Sequence, residues 1–209
     1  MYREQPLERY VRDAAAGRPT PGGGSVSALA GALAASMGAM AANFTVGKKK
    51  FAAVEPRVKE LLAEIEARME ELLVIMEDDV EAYSVVSAAY GKPSETPEQK
   101  AERTRAIQDA LVVALEPPLR AMRAIARVIQ VADELCEIAN PNLISDVGVC
   151  AAISSGALIG ARLNVEINLA GLKDAEFVQK VRTEVDALMS GLATAQTIVE
   201  KVQNRMKPH

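Results

Sequence analysis

The sequence has few aromatic residues and no tryptophan: Phe, Trp and Tyr together make up 3% of its 209 residues. It also lacks sustained alternation of apolar and polar residues, and no Asn-Gly or Asp-Gly pair separates β-branched runs. The usual signals of strands and hairpins are therefore missing. Helix signals occur along the whole chain, so we predict an all-α protein.

Histidine occurs once, as the last residue, His209, which we expect to lie in a frayed terminus or to remain from a tag. This scarcity excludes Ser-His-Asp and Cys-His catalysis and histidine-ligated zinc. Carboxylates, lysines, hydroxyls or tyrosines would have to carry any catalysis. The two cysteines, Cys136 and Cys150, lie in apolar helical contexts in a chain without a signal peptide, so we expect both to be reduced and buried in a cytoplasmic protein.

The charge balance argues against a nucleic-acid partner. Lys and Arg number 24 against 28 Asp and Glu, a formal charge of -4, and no basic tract is interleaved with aromatic residues. The length suits one domain, and no low-complexity linker or internal repeat divides it. We therefore expect residues 1–209 to form a single domain.

Glycine and proline divide the chain into about six long helices, which short connections would pack antiparallel as a bundle. Pro117 and Pro118 are expected to kink or split the fourth helix. The predicted helices run over residues 5–16, 25–46, 55–90, 97–139, 144–168 and about 174–206.

The second helix belongs to the stretch TPGGGSVSALAGALAASMGAMAANFTVGKKK, residues 20–50, which carries no charge before its lysines. The run is long enough to cross a bilayer, but its Ala, Gly and Ser content makes membrane transfer unfavourable. It matches neither a phosphate loop, since Lys49 stands where Ser or Thr must follow Lys48, nor a dinucleotide fingerprint, since no strand precedes the glycines. Small residues instead predict a buried central helix approached closely by its neighbours.

The start of this helix has two interpretations. Gly22, Gly23 and Gly24 allow close approach of the backbone, and the free N–H groups at Ser25 could meet whatever anion or polar atom lies there. A glycine-rich turn with Ser25 as a simple N-cap explains the residues equally well.

Polar residues on apolar helices add further candidates. Ser25 and Asn43 are separated by about five turns and share a face of the second helix. Asp146 and Asn164 are related in the same way on the fifth, with Asn168 beside them. Asp146 stands before an uncharged segment, where burying an acid costs free energy unless it has a partner or a function. Alternatively, Ser145 or Asp146 could cap the helix.

On the third helix, Asp79, Tyr83 and Tyr90 share one face. Asp79 would point inward there. The tyrosines could line a site or could be core residues with a hydroxyl at the boundary. Lys48, Lys49 and Lys50 could bind an anion or form a solvated helix end.

Four separated motifs together carry a family resemblance: the stretch at residues 20–50, EDDVEAYSVVSAAYGKP, NPNLISDVGV and ARLNVEINLAGLKD. In this order they resemble the cyclodeaminase/cyclohydrolase family of folate one-carbon enzymes over nearly the whole chain. The sequence looks most like the stand-alone methenyltetrahydrofolate cyclohydrolase branch. Formimidoyltetrahydrofolate cyclodeaminase is the alternative activity, and a non-catalytic helical interaction module is the alternative of another class.

The resemblance implies an all-helical homodimer that binds a folate in a cleft between the glycine-rich turn and the fifth helix, without a metal or redox cofactor. A carboxylate, Asp146 or Asp79, would attract the cationic substrate and handle protons. The lysines would suit the glutamate carboxylates of the folate tail, in the same or a neighbouring subunit. Since a helix of about 22 residues is roughly 33 Å long, its two ends could serve different sites. The substrate-binding candidates are Gly22, Gly23, Gly24, Ser25, Asn43, Lys48, Lys49, Tyr83, Asn142, Ser145 and Asn164.

Overall fold

The structure is a computed structural model that describes residues 1–207. His209, which we expected at a frayed terminus, lies outside this range. Within residues 1–207 the chain forms α-helices, three single-turn 3-10 helices and no strand. The helices are α1 (Leu7–Ala15), α2 (Gly23–Asn43), α3 (Glu55–Tyr90), α4 (Pro97–Ile138), α5 (Ile144–Ala170), α6 (Ala175–Met189) and α7 (Gly191–Arg205).

The predicted all-α bundle is confirmed, and most helix boundaries follow the sequence signals. Thr96 caps α4 through a capping box, in which its hydroxyl accepts from the Gln99 N–H and the Gln99 side chain accepts from the Thr96 N–H. One boundary was missed: the chain after Asp174 forms two helices, because a break at Ser190 separates α6 from α7.

Helix α4 is not split at its two internal prolines, contrary to one of the two outcomes that we expected. Pro117 and Pro118 are buried inside a helix that continues to Ile138. Proline has no N–H, so the carbonyls of Val113 and Ala114, four residues earlier, lose their helical donors. The Val113 side chain is exposed, whereas the Ala114 carbonyl receives a hydrogen bond from Asn168 of α5 at 3.0 Å. Tertiary contacts thus supply one of the donors that the prolines remove.

Helix α2 lies at the centre of the bundle and packs against α3, α4 and α5. Its glycines allow this close approach: a Cβ on Gly31 would lie 2.8 Å from Ile125 of α4. The predicted central helix is therefore present, but it is not enclosed on every side. One face remains exposed and carries the large apolar side chains of Val26, Leu33, Met40 and Phe44.

Helices α2 and α5 are antiparallel neighbours. At one end Asn164 of α5 adjoins Gly23, and at the other Asn140, just before α5, donates from its backbone N–H to Thr45 Oγ1 at 2.8 Å. Among residues 1–207, two segments are long and apolar enough to cross a membrane: Gly23–Asn43 and Pro141–Ala170. The first has most of its residues buried inside the bundle, as the core helix of a folded protein does.

Candidate active site

A cleft of about 430 Å³ opens at the end of the bundle where α2 begins and α5 ends. Its walls come from the turn before α2 and from α2, α3, α4 and α5, which the sequence places far apart. The lining residues are Pro19, Thr20, Gly22, Gly23, Asp79, Tyr83, Val86, Tyr90, Leu111, Ala114, Asn164, Ile167 and Asn168.

Asp79 is the only ionisable carboxylate among these lining residues, and it is held in place by the start of α2. The backbone N–H of Ser25 donates to Asp79 Oδ2 at 2.8 Å. A Cβ on Gly24 would lie 2.7 Å from Asp79 Cγ, so only glycine allows the carboxylate to approach this closely. Asp79 thus occupies the position of an N-cap side chain although it comes from another helix.

The surroundings of Asp79 change its acidity. Removal from water disfavours the ionised carboxyl and raises its pKa, whereas the hydrogen bond from the Ser25 N–H lowers the pKa and offsets part of that effect. The net direction is upward. A carboxylate with a raised pKa accepts a proton more readily than an ordinary aspartate does.

The Ser25 N–H meets an anion, as one of our two interpretations predicted, and that anion is the Asp79 carboxylate of the protein itself. Helix α2 begins at Gly23 with Gly22 as its N-cap and without a side-chain cap bond, so the N-cap interpretation of Ser25 is wrong. Its side chain is fully buried, and its hydroxyl donates to the Met76 carbonyl at 2.8 Å and accepts from the Tyr10 hydroxyl at 2.8 Å. Burial raises the pKa of Tyr10 to about 12, which keeps it protonated as this donor. These bonds fix α2 against α3 one turn before Asp79.

Two asparagines of α5 form the wall opposite α3. Asn164 Nδ2 donates to the Gly160 carbonyl at 2.8 Å, and Asn168 Nδ2 donates to the carbonyls of Ala114 and Asn164, each at 3.0 Å. Both amides are therefore oriented by the protein. Asn168 was not among our binding candidates, although it shares the face of α5 on which Asn164 lies. The buried Pro118, which leaves the Ala114 carbonyl without a helical donor, is the signal that could have identified it.

The remaining walls are apolar or aromatic. Tyr83 and Tyr90 are 42% and 50% exposed, so the alternative that they are core residues is wrong. They line the cleft together with Val86 of α3, Leu111 of α4 and Ile167 of α5. Such walls suit the faces of a flat ring system.

The other predicted residues lie at the opposite end of the α2–α5 pair. Asp146 and Asn164 are 18 positions apart on one helix, or about 27 Å at 1.5 Å per residue. A single chain therefore does not bring Asp146 together with Asp79. Asn43, Lys48, Lys49, Asn142 and Ser145 lie at the same distant end, and all five are exposed.

The capping alternative at that end is also wrong. Helix α5 begins at Ile144, its N-cap is Leu143, and no side chain makes the cap bond. Ser145 and Asp146 lie within the first turn instead, and Asp146 is half-buried. Its assignment as a catalytic residue stays a prediction.

The cysteines are buried and free, as predicted. Burial raises the pKa of the Cys150 thiol to about 12, so this sulfur is a core group rather than a nucleophile. Within residues 1–207, no cluster of three or more His, Cys, Asp or Glu side chains could hold a metal ion.

The chain is similar to known proteins in both sequence and fold. The sequence model described as formiminotransferase-cyclodeaminase matches residues 6–187. The chain belongs to this family, whose named relatives are enzymes of folate metabolism.

Individual relatives differ in the activity that they are named for. A methenyltetrahydrofolate cyclohydrolase from Methylorubrum extorquens is 37% identical to this chain. The match covers 99% of this chain and 98% of that relative. A rat formimidoyltransferase-cyclodeaminase is 30% identical over 92% of this chain, which corresponds to 36% of the rat protein. The crystal structure of a formiminotetrahydrofolate cyclodeaminase from Thermotoga maritima superposes with a TM-score of 0.81 over 99% of this chain and 98% of its own, at 26% identity.

The environment of Asp79 predicts a specific pH dependence of stability. Because the folded-state pKa is raised, the folded protein binds a proton that the unfolded chain has already lost, so the contribution of Asp79 to stability falls as pH rises through that interval. It is most favourable below the unfolded pKa of about 3.9 and reaches its lowest, constant value above the folded pKa. Asp79→Asn removes this dependence and keeps an oxygen to accept from Ser25.

Urea unfolding of both proteins between acidic and neutral pH measures the effect. The stability of the wild type relative to Asp79→Asn should decrease with rising pH and then level off. Taking the difference cancels the titration of the other carboxylates. Parallel stability curves for the two proteins would contradict the raised pKa.

Proposed function

We propose that this protein hydrolyses 5,10-methenyltetrahydrofolate to 10-formyltetrahydrofolate. The main support is the 37% identity, over nearly the full length of both chains, to a protein named for this activity. The cleft supplies a second, independent argument, because it combines one carboxylate, two oriented amides and aromatic walls. These are the groups that a cationic, planar folate requires.

The charge of the substrate explains the carboxylate. Methenyltetrahydrofolate carries a positive charge delocalised over N5, the bridging carbon and N10. The partly desolvated Asp79 carboxylate would attract this cation, and the attraction is stronger in a cleft than in bulk water. A cation bound there would also lower the pKa of Asp79 and keep the carboxylate ionised until water adds.

The same carboxylate can handle the protons. Water attacks the bridging carbon, and Asp79 accepts a proton from the attacking water, which leaves a neutral adduct with a hydroxyl on that carbon. The carbon–N5 bond then breaks as the carbonyl forms. N5 receives the proton from Asp79, and the hydroxyl proton is released to solvent. The overall reaction consumes one water and releases one proton.

This chemistry requires no electron transfer and no further activation of a carbon that is already cationic. We therefore propose that the enzyme acts without a metal or redox cofactor. We further propose that it acts in the cytoplasm, where folate is available and where free cysteines remain reduced.

Formimidoyltetrahydrofolate cyclodeaminase is the second candidate, supported by the structural similarity to the Thermotoga maritima enzyme. In that reaction N10 attacks the formimino carbon and ammonia leaves, so the charge again develops around the same carbon. The cleft could stabilise either cation. The two reactions differ in product, and release of ammonia from the formimino substrate would distinguish them.

The decrease in near-ultraviolet absorbance of methenyltetrahydrofolate at near-neutral pH tests the proposed activity. The wild type should accelerate the decrease above the spontaneous rate, and Asp79→Asn should reduce kcat by roughly a hundredfold or more, the usual size of a general acid–base contribution. Asp78→Asn is the matched control, because Asp78 pairs with Arg120 at 2.7 Å and does not line the cleft. It should retain turnover.

Asp146→Asn belongs in the same assay. Loss of turnover in this variant would show that a second subunit brings Asp146 to the cleft, and unchanged turnover would remove Asp146 from the catalytic residues. If the wild type produces no acceleration at any concentration, the cyclohydrolase proposal is wrong.

We propose that the protein is a homodimer and that the exposed apolar face of α2 lies in its interface. Val26, Leu33, Met40 and Phe44 recur at separations of seven, seven and four residues, which places them along one side of the helix. The face has no charged residue anywhere along it, since none occurs from Pro19 to Gly47. Two copies related by a two-fold axis would bury the same face against itself.

Light scattering at micromolar concentration should give twice the mass of the chain, and Leu33→Glu should give the monomer mass because it places two charges within the apolar contact. Val113→Glu is the control, since Val113 is similarly exposed, at 51% against 50% for Leu33, but lies on α4. A wild-type monomer, or a Leu33→Glu dimer, would contradict this interface.

We also propose that Lys48 and Lys49, with Lys50, bind the glutamate tail of a folate. All three are exposed, and within residues 1–207 none forms an ion pair with a carboxylate. They lie about the length of α2 from the cleft, so they would serve a folate held mainly by the neighbouring subunit or a separate site.

Replacing these three lysines with glutamine should weaken binding of polyglutamylated substrate more than monoglutamylated substrate. The difference should shrink as salt increases, because exposed charge pairs are screened. Lys100→Gln/Lys180→Gln provides a control at exposed lysines elsewhere. Equal affinity of the triple variant and the wild type for both substrates at low salt would leave these lysines as a solvated helix end.

A further inference from the structure

Asn164 and Asn168 of the cleft each have an amide nitrogen that is hydrogen-bonded to the backbone. Each Nδ2 group is occupied by one or two backbone carbonyls, whereas within residues 1–207 neither Oδ1 receives a hydrogen bond. Both residues line the cleft. The oxygen is therefore the part of each amide that remains available to a ligand.

The orientation of Asn168 is built into the fold. Pro118 removes the N–H that would otherwise bond to the Ala114 carbonyl, and Asn168 Nδ2 donates to that carbonyl at 3.0 Å. Ala114 and Pro118 are buried, so rotating the Asn168 amide would leave this carbonyl without a donor. The cost of that loss keeps Oδ1 as the acceptor.

The start of α2 offers the opposite polarity. The first helical backbone bond runs from the Val26 N–H to the Gly22 carbonyl, and the Ser25 N–H is taken by Asp79. Gly23 and Gly24 come earlier in the chain than these two donors, and within residues 1–207 their N–H groups have no acceptor. One side of the cleft therefore accepts hydrogen bonds, and the first turn of α2 has N–H groups free to donate them.

We infer that Asn164 and Asn168 accept hydrogen bonds from the pyrimidine edge of the reduced pterin, its 2-amino group and N3–H, and so determine the ring specificity and orientation of the substrate. This inference rests on the proposed folate function. The other end of a folate, its glutamate, carries carboxylates that accept hydrogen bonds and would be repelled by two amide oxygens. The pterin edge is the part of the molecule rich in donors.

Asp79 lines the same cleft as the two asparagines. Asn164 adjoins Gly23 and thus the start of α2, whereas Asn168 lies one turn further along α5, beside Ala114 of α4. With the pyrimidine edge at the asparagines, the rest of the ring system, which carries N5 and the bridging carbon, would occupy the part of the cleft that Asp79 also lines. Tyr83, Tyr90 and Leu111 then face the flat surfaces of the rings.

The test uses 5-formyltetrahydrofolate, a stable folate, and its analogue in which a methyl group replaces the 2-amino group. Calorimetry measures their affinities without requiring turnover. The wild type should bind the analogue roughly tenfold to a hundredfold more weakly, because an acceptor that the bound ligand covers loses its donor. In Asn168→Leu the parent compound should bind more weakly and the discrimination between the two ligands should largely disappear.

Asn164→Leu gives an independent measurement if Asn168→Leu fails to fold. The Gly160 carbonyl, the acceptor of the Asn164 amide, lies inside α5 and keeps its helical donor, so this variant leaves no buried carbonyl unpaired. Tyr90→Phe is the control: it lines the same cleft but is assigned to the ring face, so it should discriminate between the two ligands as the wild type does.

The outcomes separate this inference from the proposed activity. Discrimination that persists in both asparagine variants, or a wild type that binds both ligands equally, would overturn the pterin-edge assignment even if methenyltetrahydrofolate is hydrolysed. Loss of discrimination in the variants would support the assignment even if the physiological reaction proves to be cyclodeamination.

Discussion

The contact between Asp79 and the first turn of α2 is the interaction on which the cleft depends. A carboxylate from one helix accepts the N–H of Ser25 at the start of another, and this requires a residue without a side chain at Gly24. The favourable interaction of a negative charge with a helix N-terminus offsets part of the cost of desolvating Asp79. The same contact joins α2 to α3 and leaves the Asp79 carboxylate at the cleft wall.

Further hydrogen bonds between helices surround the cleft on both sides. Tyr10, Ser25 and the Met76 carbonyl form a hydrogen-bonded chain one turn away, in which Ser25 donates its only hydroxyl proton to Met76 and therefore accepts from Tyr10. Across the cleft, Pro118 and Ala114 orient Asn168 in a comparable way. The Ser25 N–H at the start of α2 and the Ala114 carbonyl before Pro118 each lack a partner within their own helix, and each is satisfied by a side chain from another helix. Polar groups of the cleft are therefore fixed before a substrate binds.

The antiparallel pairing of α2 and α5 separates two sets of polar residues by about the length of a helix. The cleft is at one end, and the lysines with Asp146 are at the other. The exposed apolar stripe of α2 runs between these ends. An isologous contact along this stripe, with the helices antiparallel, would bring the distant end of one copy toward the cleft of the other. The assembly, rather than the single chain, would then determine whether both sets act on one folate.

The sequence by itself determined the helical class, nearly all helix boundaries and the central position of α2, because periodicity, capping residues and glycine–proline breaks act locally. It also placed Asp79, Tyr83, Asn164 and the glycines among the candidates. Only the tertiary structure decided that Asp79 rather than Ser25 satisfies the start of α2, that Asn168 belongs to the cleft, and that Asp146 lies at the other end. Each of these facts depends on which helices meet and in which direction. Spacing along one helix gives the face on which a residue lies, whereas the partner on that face is fixed by packing between segments far apart in the chain.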